Sequence, residues 1–193
     1  MSRLVRFTHK SVLMNLRLDV YCGDLKPVVN EVDPLLAVRP EIKIFGKIAH
    51  QNRSVGFFSN ESVGYKYSNQ MAKSIPLTPG LVTLLDEMNK MYRANFNGVL
   101  VNKYQDGNEY ISAHSDDESG LDPVGVVAIS YGAVRKFRIR DKATKELIQD
   151  IPTNSNGIIF MKKDFQKKFT HEIPIEKTVT GVRYSFTFRK HTK

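Results

Sequence analysis

Cysteine is nearly absent from this chain of 193 residues, and Cys22 is the only one. A single thiol cannot close an intramolecular disulfide or build a Cys-rich zinc site, which suits a reducing compartment. Apolar runs of membrane-spanning length are also lacking, and the N-terminus has no charged head followed by an apolar signal core. The expectation is an intracellular protein with no membrane partner. No internal repeat, low-complexity tract or Gly/Ser linker breaks the sequence, so its simplest organisation is one domain with a substantial core. Neither a GxGxxG nor a P-loop pattern occurs. The later strand-like runs also lack the intervening helices that a parallel nucleotide-binding sheet needs.

Acidic residues are in deficit: 29 Lys+Arg stand against 20 Asp+Glu, a formal charge of +9. That excess attracts polyanions, with nucleic acid the first candidate, although a well-solvated basic surface has the same composition.

The first dozen residues are basic and weakly patterned, as a loose extension or an edge strand would be. Leu16 to Tyr21 alternates as a strand does, and a short helix can follow from Asp24 before Pro34 or Pro40. Glu41 to Gly46 alternates with period two and stops at glycine, an edge-strand or hairpin pattern. Thr78-Pro79 is a helix start, a capping residue followed by proline at the first helical position. Leu81, Leu84, Leu85, Met88, Met91 and Tyr92 then share one face, which reads as core. From Gly98 onward the pattern is of short strands: Val99 to Val101, Val124 to Ser130, Val134 to Ile139, Ile158 to Met161 and Val182 to Phe188. One main helix followed by many short strands predicts an α+β, mainly β fold, a sandwich or jelly roll buttressed by helices.

On an extended segment, residues two apart point the same way, so His114 and Asp116 can converge on one metal. His171, from a distant strand, would complete two imidazoles and one carboxylate, the facial triad of non-heme Fe(II) oxygenases. An isolated HxD pair means little, and a lone histidine is more often structural. The C-terminal segment adds weight. Val182, Tyr184, Phe186 and Phe188 share one face, and Arg183, Ser185, Thr187 and Arg189 the other. If a sheet closes over them, both arginines need partners, one an anionic cosubstrate and the other a carboxylate. At about 3.3 Å per residue their α-carbons lie roughly 20 Å apart, so they cannot grip one carboxylate alike.

Asn102-Lys103-Tyr104, His114-Ser115-Asp116-Asp117-Glu118, His171-Glu172-Ile173-Pro174 and Arg183 to Arg189 together resemble the AlkB family of Fe(II)/2-oxoglutarate-dependent nucleic-acid demethylases. The resemblance runs from about Arg39 to Lys190. In Ile44-Phe45-Gly46-Lys47 it is similar to the animal homologue that repairs duplex DNA. It implies a double-stranded β-helix (jelly roll) over residues 39–193, with residues 1–38 an N-terminal extension whose strand and short helix pack on the core. It further implies that His114, Asp116 and His171 bind Fe(II), and that Asn102 and Tyr104 hydrogen-bond 2-oxoglutarate. Arg183 would pair with the distal carboxylate, and Arg189 with the other end or with Asp116. Ser185 stands where some relatives carry asparagine, which weakens one cosubstrate contact. The implied chemistry consumes O2 and 2-oxoglutarate, hydroxylates an N-methyl group, and releases succinate, carbon dioxide and formaldehyde.

A base inside a duplex must leave the stack to reach an enclosed iron. Tyr65 and Tyr67 match the family's aromatic lid over such a base, and Glu118 a position facing it. Phe45 matches an intercalating finger. Without the resemblance, the tyrosines read as strand packing and Phe45 as a half-buried edge residue. Arg53 is a candidate phosphate contact. Lys136, Arg138 and Arg140 share an outer strand face, where they can meet the backbone or keep that face soluble. The short loop after Arg140 lacks the basic insert of the duplex-repair member, and Ile175 to Thr178 is less basic than its counterpart.

The leading expectation is demethylation of 1-methyladenine and 3-methylcytosine in DNA. The alternatives are the same chemistry on RNA or protein, or a catalytically silent nucleic-acid-binding protein. A monomer is expected, in the nucleus, another DNA-containing compartment or the cytoplasm.

Overall fold

A computed structural model describes residues 14–44, 47–62, 64–67, 70–116 and 123–191. Six strands form the main sheet: β1 (Leu16–Val20), β4 (Ser54–Phe58), β7 (Gly98–Tyr104), β9 (Gly125–Gly132), β12 (Gly157–Lys162) and β14 (Arg183–Arg189). Their order is β1-β12-β9-β14-β7-β4, antiparallel throughout. A minor sheet takes β8 (Ile111–His114), β10 (Lys136–Asp141), β11 (Leu147–Pro152) and β13 (Phe169–Ile173) in the order β11-β10-β13-β8. Two hairpins stand apart, β2 (Glu41–Ile44) with β3 (Lys47–His50), and β5 (Gly64–Tyr67) with β6 (Gln70–Lys73). Among the described residues the α-helices are α1 (Lys26–Val32), α2 (Pro79–Tyr92) and the single turn α3 (Phe165–Lys168), and a 3-10 turn, Asp33–Leu35, follows α1.

The chain crosses between the two sheets repeatedly, from β7 to β8, β9 to β10, β11 to β12 and β13 to β14. That is the jelly-roll arrangement expected from the sequence, two antiparallel sheets facing each other with α1 and α2 outside the larger one.

Helix α2 forms where the sequence starts it. The Thr78 hydroxyl accepts from the Leu81 N–H, and the helix ends at Arg93, whose left-handed φ of 51° stops propagation. Leu81, Leu84, Leu85, Met88 and Tyr92 are buried, with α1 residues Val28, Val29 and Val32, against the outer face of the main sheet. Burying each such aliphatic side chain contributes about 1.5–3 kcal/mol. Met91, expected on this face, is 48% exposed instead, because its position falls at the edge of the apolar stripe. A second cluster, including Val126, Phe137, Ile139, Ile159, Met161, Phe165 and Phe169, fills part of the space between the sheets.

Residues 14–38 are built into this body. β1 pairs with β12 over its whole length, and the Asp33 carboxylate joins Tyr184 (2.8 Å) and Lys103 (2.7 Å) of the main sheet. Residues 147–152, in the stretch expected to be a short loop after Arg140, form β11. The buried Gln149 interrupts the apolar alternation of its inward face, but pairing with β10 supplies the backbone partners that local pattern did not announce.

Candidate active site

Strand β14 is buried on both faces, which explains its composition. Tyr184, Phe186 and Phe188 enter the core beneath α2, whereas Arg183, Ser185, Thr187 and Arg189 line a cavity between the sheets. The cavity leaves about 50 Å³ for the centres of water-sized molecules, within about 580 Å³ of empty space that includes open solvent at its mouth. Asn102 and Tyr104 of β7, His114, Asp116, His171 and Arg53 share its wall.

The three candidate metal ligands meet because β8 and β13 are neighbours in register, with His114 directly opposite His171. Their ring centroids are 4.3 Å apart. Asp116 follows just beyond β8, held by its backbone N–H, which donates to Gln166 Oε1 (3.0 Å). Ser115 Oγ donates to the Phe169 carbonyl (2.9 Å), tying the same segment to β13. Asp116 Oδ2 lies 3.6 Å from His171 Nε2, and its Oδ1 lies 3.9 Å from His114 Nε2. One donor atom from each residue falls within 4.8 Å of the others. A metal bound at about 2.1 Å by three mutually cis ligands holds them roughly 3 Å apart, so modest contraction completes the set. His114 Nδ1 is 2.8 Å from the Ser112 carbonyl, which fixes the tautomer and leaves Nε2 to the metal. His171 stacks on Phe137, with centroids 5.0 Å apart and planes 18° from parallel.

Charge states favour ligation. Burial drives His171 down to about 3, aided by His114 and Arg189 and opposed by Asp116. Burial also lowers His114, although its side chain keeps 24% exposure at the mouth. Both imidazoles are therefore neutral donors at neutral pH. Burial opposes ionisation of Asp116, but Arg189, His171 and His114 outweigh it and hold the carboxyl at about 2. Of the two partners considered for Arg189, the structure supplies Asp116: Nη2 donates to Oδ1 at 2.9 Å, both side chains 2% exposed.

At the opposite end of β14, Arg183 has no carboxylate beside it among the described residues. Nε donates to Thr153 Oγ1 (3.1 Å) and Nη2 to Ser130 Oγ (2.9 Å), while Nη1 is buried without a hydrogen-bond partner. Burial lowers its pKa to about 10, which leaves it cationic at neutral pH. The Tyr104 ring lies under the guanidinium, 5.3 Å from centroid to Cζ. A buried cation with an unused donor in a polar-walled cavity is the seat of an anion.

Arg53 corrects an expectation. It is only 4% exposed, and its Nε donates to Asn102 Oδ1 at 2.6 Å, so it belongs to the cavity wall rather than to a phosphate-facing surface. Arg138 and Arg140 lie on the outer face of β10 as expected, but each is paired, with Asp150 and Glu172 (both 2.8 Å). Lys136 faces Glu176 at 3.6 Å. Phe45 and Glu118 lie outside the described residues. Of Tyr65 and Tyr67, only the backbone of β5 is described. Sequence reasoning missed Ser130, Thr153 and Gln166. Single polar residues in short strands and turns carry no local signal, and only the sheet pairing brings them to the cavity.

A sequence profile of the 2OG-Fe(II) oxygenase superfamily matches residues 39–189. The chain is similar to DNA oxidative demethylase ALKBH2 of Homo sapiens, 27% identical over 168 residues that cover 83% of this chain and 64% of that protein. It thus spans less than two thirds of the human relative. The Mus musculus ALKBH2 is 29% identical over 83% of this chain and 70% of its own length. Alpha-ketoglutarate-dependent dioxygenase alkB homolog 3 of Mus musculus is 31% identical over 65% of this chain and 47% of its own. The solved structure of OsALKBH1 shares the fold, with a TM-score of 0.60 at 18% identity over 91% of this chain and 98% of that one. With the profile covering most of the chain, and a His-Asp-His cluster sharing one cavity with the buried Arg183, this protein belongs to the 2OG-Fe(II) oxygenase superfamily.

Proposed function

We propose that this chain oxidatively demethylates N-alkylated bases, 1-methyladenine and 3-methylcytosine, in DNA, using Fe(II), O2 and 2-oxoglutarate. The observation that carries the reading is one cavity holding a neutral His, His and ionised Asp set at one end and the open guanidinium donor of Arg183 at the other. The relatives' names, DNA oxidative demethylase among them, supply the substrate class.

In this reading His114, Asp116 and His171 hold the iron. When bound, it couples oxygen reduction and 2-oxoglutarate decarboxylation to oxidation of the N-methyl group. The remaining residues position and insulate. Arg189 keeps Asp116 ionised and oriented, and Arg183 receives the distal carboxylate with Tyr104 beneath it. Asn102, steadied by Arg53, offers its amide to the cosubstrate. Ile111, Ile159 and Met161 wall the cavity and keep water out. A duplex does not fit between two sheets, so the target base enters extruded or from a single strand. Phe45 as the wedge, and Tyr65, Tyr67 and Glu118 around the base, complete the proposal.

A second reading, the same chemistry on RNA or single-stranded DNA, draws on the β10–β11 hairpin. That hairpin closes within residues 142–146 and leaves no long arm for an opposite strand. Formaldehyde and succinate release from matched single- and double-stranded DNA and RNA oligonucleotides carrying 1-methyladenine tests both. Release by the wild type and its loss in His171→Ala is the expected result. Succinate without demethylation of any strand would move the substrate away from this lesion.

A further inference from the structure

We propose that Arg135 is a positioning residue for the cosubstrate, holding the end of the jelly roll in which Arg183 and Tyr104 receive the distal carboxylate. The inference rests on the 2-oxoglutarate reading above and names a residue that touches neither metal nor cosubstrate.

Arg135 lies in the crossing from β9 to β10 and is 1% exposed. Nothing in its neighbourhood in sequence marks it, since it sits beside Lys136 in a chain rich in basic residues. Its partners mark it. Nη1 donates to the Asp106 carbonyl (2.8 Å), and Nη2 to the carbonyls of Glu109 (2.9 Å) and Pro174 (2.6 Å). Nε donates to the Glu176 carboxylate (3.3 Å), which also accepts from the Lys136 N–H (2.7 Å). Its own backbone is locked to Thr153 in both directions, N–H to Oγ1 at 3.1 Å and carbonyl from the Thr153 N–H at 2.8 Å.

These contacts tie the crossing that carries Arg135 to the other three at this end of the jelly roll. Asp106 and Glu109 belong to the crossing from β7 to β8, Thr153 to that from β11 to β12, and Pro174 and Glu176 to that from β13 to β14. The first and last are also stitched directly, Gly107 N–H to the Val179 carbonyl (2.7 Å) and Glu176 N–H to the Gly107 carbonyl (2.8 Å). The strands joined there carry Asn102, Tyr104, His114, His171 and Arg183.

Two links run from Arg135 to the anion seat. Thr153 Oγ1, which bonds the Arg135 backbone, also accepts from Arg183 Nε. The Tyr104 ring lies 5.8 Å from Arg135 Cζ and 5.3 Å from Arg183 Cζ, so both guanidiniums bear on it. Lysine cannot replace this arrangement, because one ammonium on a flexible stem cannot serve four acceptors on two separated segments as a planar fork does.

The test is calorimetric titration of 2-oxoglutarate into the manganese(II)-loaded protein, with thermal melting and manganese affinity measured beside it. Arg135→Lys is expected to weaken 2-oxoglutarate binding by about tenfold or more, in line with other residues that orient a ligand from behind. Glu176→Gln, a gentler change that keeps shape, shifts it in the same direction by a smaller factor. Manganese affinity, set at the far end, stays within about twofold. Lowered melting temperature with 2-oxoglutarate affinity equal to wild type in the variants would make Arg135 a stabiliser only and overturn the inference. If Arg135→Lys does not fold, Glu176→Gln decides alone. Absence of 2-oxoglutarate binding in the wild type would instead remove the cosubstrate reading, and this inference with it.

Discussion

The two ends of strand β14 bury an arginine equally deeply and treat it differently. Arg189 meets Asp116, and the fold itself supplies the opposite charge. Arg183 meets the neutral side chains of Ser130, Thr153 and Tyr104, has no carboxylate beside it among the described residues, and keeps its Nη1 donor unused. Desolvating a guanidinium costs several kcal/mol unless something compensates it. At the metal end that compensation is internal, so Asp116 stays ionised and the ligand set is preformed. At the crossover end it is incomplete without an anion. A binding seat is recognisable here as a charge that the protein leaves partly unanswered.

Variants at the two ends should therefore fail in opposite ways. Asp116→Ala removes a metal ligand and strands Arg189 in the interior. Breaking a buried pair from one side costs about 3–5 kcal/mol. Urea denaturation should show a loss of that size in the metal-free protein, with Fe(II) binding abolished. A stability within error of wild type would mean that Arg189 is not held by this carboxylate. Arg183→Met should abolish 2-oxoglutarate binding while changing metal-free stability by about 1 kcal/mol or less, since an apolar side chain of similar length replaces a poorly compensated charge. Calorimetry and the same denaturation curves measure both quantities, and a large destabilisation with binding retained would reverse the assignment of the two ends.

The ends should differ in pH response as well. His171 has its folded pKa depressed to about 3, so the unfolded chain binds more protons as soon as the pH drops below the ordinary imidazole range. Its contribution to stability is complete above about pH 6.5 and is lost progressively as pH falls towards the folded value. Asp116, depressed to about 2, adds a further loss below about pH 4. The melting temperature of the metal-free protein should thus decline from about pH 6.5 downward. His171→Phe, which keeps the stack on Phe137, should reduce that decline and leave the share of His114 and His191, which burial also lowers. An unchanged slope would place the sensitivity elsewhere. Arg183, still protonated throughout this range, contributes nothing to it.

Much of this was legible in the chain. The alternation of Arg183 to Arg189 announced a strand with a polar inner face, because a two-residue period has no other common cause. Thr78-Pro79 announced helix α2, because its cap and first-turn proline are local chemistry. His114, Asp116 and His171 were recognisable through motif resemblance, although spacing alone left His171 an ordinary histidine. Other features were hidden for a physical reason. Met91 has the right period for the core, yet sits where the stripe meets solvent. Arg53 has the composition of a surface cation, yet is turned inward to Asn102. Ser130, Thr153 and Arg135 have no pattern at all.

The sequence by itself determined the alternating strands, the capped helix, the basic balance and the ligand types, since each depends on side chains a few residues apart. Tertiary structure alone decided that His114 stands opposite His171, that Arg189 rather than Arg183 takes the Asp116 carboxylate, and that Arg135 ties its own crossing to three others. Those choices join segments far apart in the chain. Register between strands and the closure of two sheets set them, and neither is encoded in any single stretch of residues.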